Sequence, residues 1–157
     1  MIDIYFTKLK EEKTKKGSGS KMKEFEIYET PDGLARFSFS HSDQNFTTGV
    51  LTLSPGARLP VHNRPGGFEN LTQIYGKSEI LLFDEQNDSE PVRTLELNVN
   101  DTLVMNRGRW HIHANPSDEI SITLFKLVGD ITEIMSKLRV SNKQVNQNLN
   151  FDSKVLK

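Results

Sequence analysis

The 157-residue chain contains no cysteine, which removes disulfides, thiolate metal sites and cysteine nucleophiles from consideration. Apolar residues are also scarce. They make up 35% of the sequence, so part of the chain is expected to lie outside any core. No apolar run approaches the roughly 20 residues of a membrane span. The N-terminus lacks the basic-then-apolar order of a secretory signal. A cytoplasmic protein without membrane association is the expectation. A further absence lies between Lys8 and Lys23, where there is neither an arginine nor an aromatic residue. Seven lysines stand there against Glu11 and Glu12, so this stretch carries +5 while the remainder carries −6. A basic segment with nothing to stack on bases reads as a solvated arm over residues 1–24, and a nucleic-acid partner is not expected. Gly17-Ser18-Gly19-Ser20 supplies a flexible joint within it.

What is present from Phe25 onward is a series of short strand patterns separated by turn signals, the pattern of an all-β sandwich or barrel of one domain. Phe37-Ser38-Phe39-Ser40-His41 alternates, and Thr47 to Leu53 is a β-branched run that stops at Ser54-Pro55-Gly56. Leu71 to Phe83 reads as two strands joined at Gly76, and Asp84 to Pro91 reads as a polar loop. Val92 to Val99, Thr102 to Met105, Trp110 to Ala114 and Ile120 to Val128 complete the set. One helix is expected. Asp130 and Glu133 have the spacing of a capping box, and Ile131, Ile134, Met135 and Leu138 form one apolar stripe, which is expected to lie on the outside of the barrel. Residues 25–140 are thus expected to hold the barrel and the helix, and 141–157 a polar Asn/Gln-rich tail.

Two clusters carry the chemistry. The first runs Gly56, five residues, His62, one residue, Arg64, four residues, Glu69, six residues, Gly76. The second is Asn106-Arg107-Gly108-Arg109-Trp110-His111-Ile112-His113-Ala114-Asn115. Side chains two apart on a strand share a face. His62 and Arg64 therefore project together, as do His111 and His113, and Glu69, Leu71 and Gln73 form a third row. A barrel of about eight strands has interior room for one small ligand or a metal.

Both clusters resemble the paired signature of the cupin superfamily, G-x5-H-x-H-x3–4-E-x6-G followed by G-x5-P-x-G-x2-H-x3-N. The resemblance covers roughly residues 47 to 128. It matches at Gly56, His62, Glu69 and Gly76 and at Gly108, His111 and Asn115. It departs at Arg64, where the family has its second histidine, at Asn100 in place of glycine and at Asn106 in place of proline. The resemblance implies a small jelly-roll barrel, the double-stranded β-helix. It also implies His62, Glu69 and His111 as ligands to one divalent transition metal (iron, manganese, nickel or zinc), and a homodimer.

Arg64 stands against a metal, because a guanidinium has no lone pair to offer and its charge repels a dication. It can pair with Glu69 with no metal present, or bend toward the barrel mouth and grip an anionic ligand. His113 can supply the missing fourth ligand, or sit further up the barrel and hydrogen-bond a neighbour such as Gln73. Arg64, Gln73 and His113 are accordingly the candidates for ligand contact. Arg107 and Arg109 read as solvated turn residues, Trp110 and Phe68 as rim, core or dimer aromatics, and His41 as an ordinary strand histidine. Three functions remain open. One is a metal cupin acting on or binding a small polar or carboxylated molecule, with oxygenase, isomerase and lyase chemistry all represented in the superfamily. The second is a metal-free sugar or anion binder anchored by Arg64, and the third a non-catalytic dimeric sensor.

Overall fold

A computed structural model describes residues 26–141. The expected basic arm at 1–24, Phe25, and the polar tail beyond Ser141 lie outside the described residues. Among the described residues the strands are β1 (Glu26–Glu29), β2 (Ala35–Ser42), β3 (Phe46–Leu53), β4 (Phe68–Tyr75), β5 (Ser78–Phe83), β6 (Arg93–Leu97), β7 (Thr102–Met105), β8 (Trp110–Ala114) and β9 (Ser121–Val128). They are followed by one helix, α1 (Thr132–Ser141). No helix among the described residues is long and apolar enough to cross a membrane.

Every strand pairing is antiparallel, in one sheet of order β1-β2-β3-β9-β4-β7 and a second of order β6-β5-β8. The alternation in the sequence sets which residues face inward. In β3, Thr47, Gly49, Leu51 and Leu53 are buried while their neighbours are half-exposed. In β4 the same period buries Glu69, Leu71 and Gln73. Leu53, Leu71 and Ile80 sit at the centre of the core between the sheets, and each such buried side chain contributes roughly 1.5–3 kcal/mol. On the opposite face of the smaller sheet, Leu81, Phe83, Ile112 and Ala114 form a second cluster against which Val61 and Trp110 pack.

The stretch from Gly56 to His62 runs antiparallel along β8, with bridges at Arg58–Ala114 and His62–His111. It thereby brings the first sequence cluster onto the second. Left-handed backbone at two motif positions bears on the resemblance. Gly76 has φ 62°, and a Cβ there would collide with the carbonyl of Ile120. Asn100, at the position where the resemblance expects glycine, has φ 76°. Asparagine is among the few residues that tolerate this region, so the departure is conservative.

The helix is where expected in sequence but not in space. The Asp130 carboxylate accepts from the Thr132 amide at 2.9 Å and its hydroxyl at 2.7 Å, which starts the helix. Its apolar side does not rest on the outside of the barrel. Met135 is 1% exposed in the main core, and Ile131 and Ile134 line the interior cavity. The open end of the sandwich, not its outer face, is the apolar surface that needs cover.

Candidate functional site

The site is built on one backbone pairing. His62 and His111 exchange both main-chain hydrogen bonds, at 3.0 and 2.9 Å, so their side chains leave the same face as direct cross-strand neighbours. Their rings are 4.3 Å apart, and His113, two residues along β8, lies 5.5 Å from His62 and 5.1 Å from His111. Glu69 enters from β4 in the other sheet. Its Oε2 is 3.3 Å from Nε2 of His111 and 3.4 Å from Nε2 of His113, and its Oε1 is 3.7 Å from Nε of Arg64. One ligand atom from each of His62, Glu69, His111 and His113 falls within 4.8 Å of all the others.

His113 therefore belongs to the cluster and does not pair with Gln73. Gln73 is fully occupied elsewhere. Its Nε2 donates to Tyr75 O at 2.7 Å and Ser121 Oγ at 2.9 Å, and its Oε1 accepts from Ser78 at 2.9 Å and Thr123 at 2.7 Å. That network cross-links β4, β5 and β9 one layer behind the site. The bond capacity expected for a ligand is taken up by the protein.

The proton positions follow from the acceptors. Nδ1 of His62 lies 2.8 Å from Pro60 O, and Nδ1 of His111 lies 2.7 Å from Arg109 O. A carbonyl can only accept, so each Nδ1 carries a hydrogen, and Nε2 is the ring nitrogen left for the cluster. At His111 that nitrogen is buried, has no hydrogen-bond partner among the described residues, and faces a carboxylate oxygen. A cation bound there would be shared by both groups, and a hydrogen on Nε2 would point at the carboxylate.

Electrostatics sharpen the requirement. Burial pushes the His62 imidazolium pKa down to about 3, helped by the charges of His111, His113 and Arg64. Burial likewise lowers His113, against the pull of Glu69. Burial alone would raise the Glu69 carboxyl, but its contacts with His111 and His113 outweigh that and hold it well below the usual carboxylate range. The cluster thus offers an ionised carboxylate with neutral imidazoles at positions 62 and 113.

This donor set fits a divalent metal. Nitrogen and carboxylate donors at ~2 Å from an ion suit zinc, iron, manganese or nickel. Donors on opposite sides of one ion stand ~4 Å apart, so small side-chain adjustments would bring the four donors to a common centre. The carbonyl contacts at Nδ1 of His62 and His111 are the outer partners that metal-bound imidazoles ordinarily have. Arg64 acts in the same outer position toward Glu69. Its loop is pinned where its carbonyl accepts from the amides of Gly67 at 3.3 Å and Gly108 at 3.1 Å, and Nη1 donates to Asn63 O at 3.2 Å. Burial lowers the Arg64 pKa from its usual value while Glu69 raises it, and the group stays charged.

Beside the cluster lies a cavity of about 140 Å³. His62, Arg64, Glu69 and His113 line one end of it. Phe37, Phe39, Phe125 and the helix residues Ile131 and Ile134 are among the apolar side chains that line the rest. The motif reading did not assign these wall residues, although the Phe37–Phe39 alternation already put both rings on one face. Gly49 makes the aromatic wall possible. A Cβ there would meet the Phe125 ring at 2.7 Å and collide with Ser38 O. Other sequence candidates lie apart. His41 pairs with Asp43 at 2.8 Å and stacks on Phe46. Arg109 reaches Asp84 at 3.2 Å, and Trp110 packs on the outer cluster.

No family model matches the chain, and no curated protein matches it. Solved structures do. The cupin domain of Schizosaccharomyces pombe Cnp3 aligns with TM-score 0.55 and 16% identity over 71% of this chain and 74% of that one. An RmlC-like cupin from Shewanella frigidimarina aligns with TM-score 0.56 and 13% identity over 76% and 96%. A recombinant oxalate oxidase in complex with glycolate aligns with TM-score 0.54 and 14% identity over 74% and 63%. At these identities the likeness is one of fold. The protein has the cupin fold, the double-stranded β-helix.

Proposed function

We propose that the protein is a mononuclear metal cupin that binds a small molecule in the cavity beside the ion. His62, Glu69, His111 and His113 would hold the metal, so that His113 replaces the ligand lost at Arg64. The observation that carries this reading is the buried, partnerless Nε2 of His111 facing Glu69 Oε2 at 3.3 Å. A divalent ion there would supply Lewis acidity toward a ligand oxygen or lower the pKa of a water. The protein's own part would be to present neutral imidazoles at positions 62 and 113, to hold the carboxylate ionised, and to keep bulk water from the apolar end of the cavity.

Arg64 supports a second reading, in which its ion pair with Glu69 takes the place of a metal. The separation of 3.7 Å argues against this, because Nε is left without a hydrogen-bond partner among the described residues. A guanidinium that replaced an ion would be expected to close on the carboxylate as a short, forked pair. Elemental analysis of protein purified without added metal separates the two. Near one equivalent of a transition metal supports the metal cupin. Background levels, with no uptake of zinc, iron, manganese or nickel on titration, refute it and favour the Arg64–Glu69 pair.

A further inference from the structure

The cavity's two ends differ in chemistry, and that difference narrows what can occupy it. The apolar walls offer no free polar group. Thr123 is the one hydroxyl among the lining residues, and its Oγ1 already donates to Gln73 Oε1 at 2.7 Å. Phe37 and Phe39 lie stacked at 6.1 Å, and Phe125 meets both edge-on at 6.5 and 5.6 Å. A sugar placed here would leave hydroxyls without partners, at roughly 1–3 kcal/mol each. A volume of about 140 Å³ is close to that of an apolar cavity known to take up benzene.

The polar end is cationic in balance. Arg64 is 23% exposed while Glu69 is 4% exposed, so the guanidinium stands nearer the mouth. Among the described residues its guanidinium donates one hydrogen bond, to Asn63 O. With a dication on the cluster, that ion and Arg64 would together outweigh the single charge of Glu69, and a low-dielectric interior would favour an added anion. This step rests on the metal reading above.

We propose that the cavity takes a small organic monoanion, with a carboxylate head between Arg64 and the histidine–glutamate cluster and an apolar body about the size of a benzene ring against Phe37, Phe125, Ile131 and Ile134. Sugars are excluded by the walls, and purely aliphatic acids as short as acetate leave those walls unfilled. Ile134, half-buried on the helix that closes the barrel, limits the length of the body.

The test is calorimetric titration of the full chain with benzoate, benzyl alcohol, acetate and glucose, with bound metal measured in the same samples. Benzoate is expected to bind at least about tenfold more tightly than the other three, a difference of about 1.4 kcal/mol. Arg64→Met should reduce benzoate to the level of benzyl alcohol. Ile134→Trp should weaken benzoate and leave the metal content unchanged. Glucose binding as tightly as benzoate, or benzoate no better than acetate, overturns the proposal. The ranking uses unaltered protein, so a variant that fails to fold does not remove the test. A sample that holds metal but shows no preference for benzoate refutes the ligand class alone. A preference for benzoate without metal refutes the metal reading alone.

Discussion

Nε2 of His111 and Oε2 of Glu69 stand 3.3 Å apart in the interior, with Nδ1 of the same ring 2.7 Å from Arg109 O on its far side. The carboxylate and the imidazole come from different sheets. The fold brings together a nitrogen and a carboxylate oxygen, both able to donate electron pairs to a common ion.

Glu69→Gln keeps the shape of the side chain and removes its charge. Metal content should fall to background, and added metal should no longer raise the melting temperature. In the parent protein, saturation at about a hundredfold the Kd should add ~2.7 kcal/mol. Retention of a full equivalent of metal by the variant would place the ion elsewhere.

Arg64→His exchanges a fixed positive charge near the cluster for a further imidazole. Metal affinity should rise by about tenfold or more, since a like charge a few ångströms from a dication is worth over a kilocalorie even at an effective dielectric of ~20. Competition against a chelator measures this. Unchanged affinity would mean that Arg64 does not feel the ion.

The stability of the metal-free protein should fall on acidification from neutral pH. His62, at about 3 in the folded state against 6.5 for the free side chain, and His113, also lowered, take up protons more readily when unfolded. The unfolded state therefore binds more protons as pH drops below 6.5, and stability declines with it. Glu69, lowered from 4.5, adds a further loss below that pH. Melting curves of chelator-treated protein between pH 7 and pH 5 report the first part, and His62→Asn should flatten it.

Gln73→Leu removes four hydrogen bonds at once from a buried network and strands Ser78, Ser121 and Thr123. A loss of about 2–4 kcal/mol is expected in denaturant unfolding. Metal content should not change, because the network lies behind the site. A loss of metal would contradict its placement as a structural cross-link.

Gly49→Ala puts a methyl group against Ser38 O and the Phe125 ring. Destabilisation of about 1–3 kcal/mol is expected, and Phe125→Leu in the same chain should recover part of it by vacating the ring. Full recovery would show that the backbone carbonyl is not a barrier.

Much of this was legible in the order of residues. Alternation located nearly every strand and put Leu51 and Leu53, or Glu69, Leu71 and Gln73, on inward faces, because the pleat has a period of two whatever the fold. The resemblance to the paired cupin signature singled out His62, Glu69 and His111 as one set, and in the fold the two motifs pair edge to edge through His62 and His111. The same alternation could not separate Gln73 from Glu69. Both point inward on β4, and only the sheet across from them decides that one meets imidazoles and the other meets Ser78, Ser121 and Thr123.

His113 and the helix show the same division more sharply. The sequence by itself determined that His113 shares a face with His111 and that Ile131, Ile134 and Met135 form one stripe. Whether His113 meets Glu69 or a more distant residue, and whether the stripe covers the outside or the end of the barrel, was decided by tertiary packing. A local pattern specifies the direction in which a side chain leaves the backbone. The partner it finds depends on how two sheets and a helix close over a shared core, and that is settled by contacts between segments far apart in the chain.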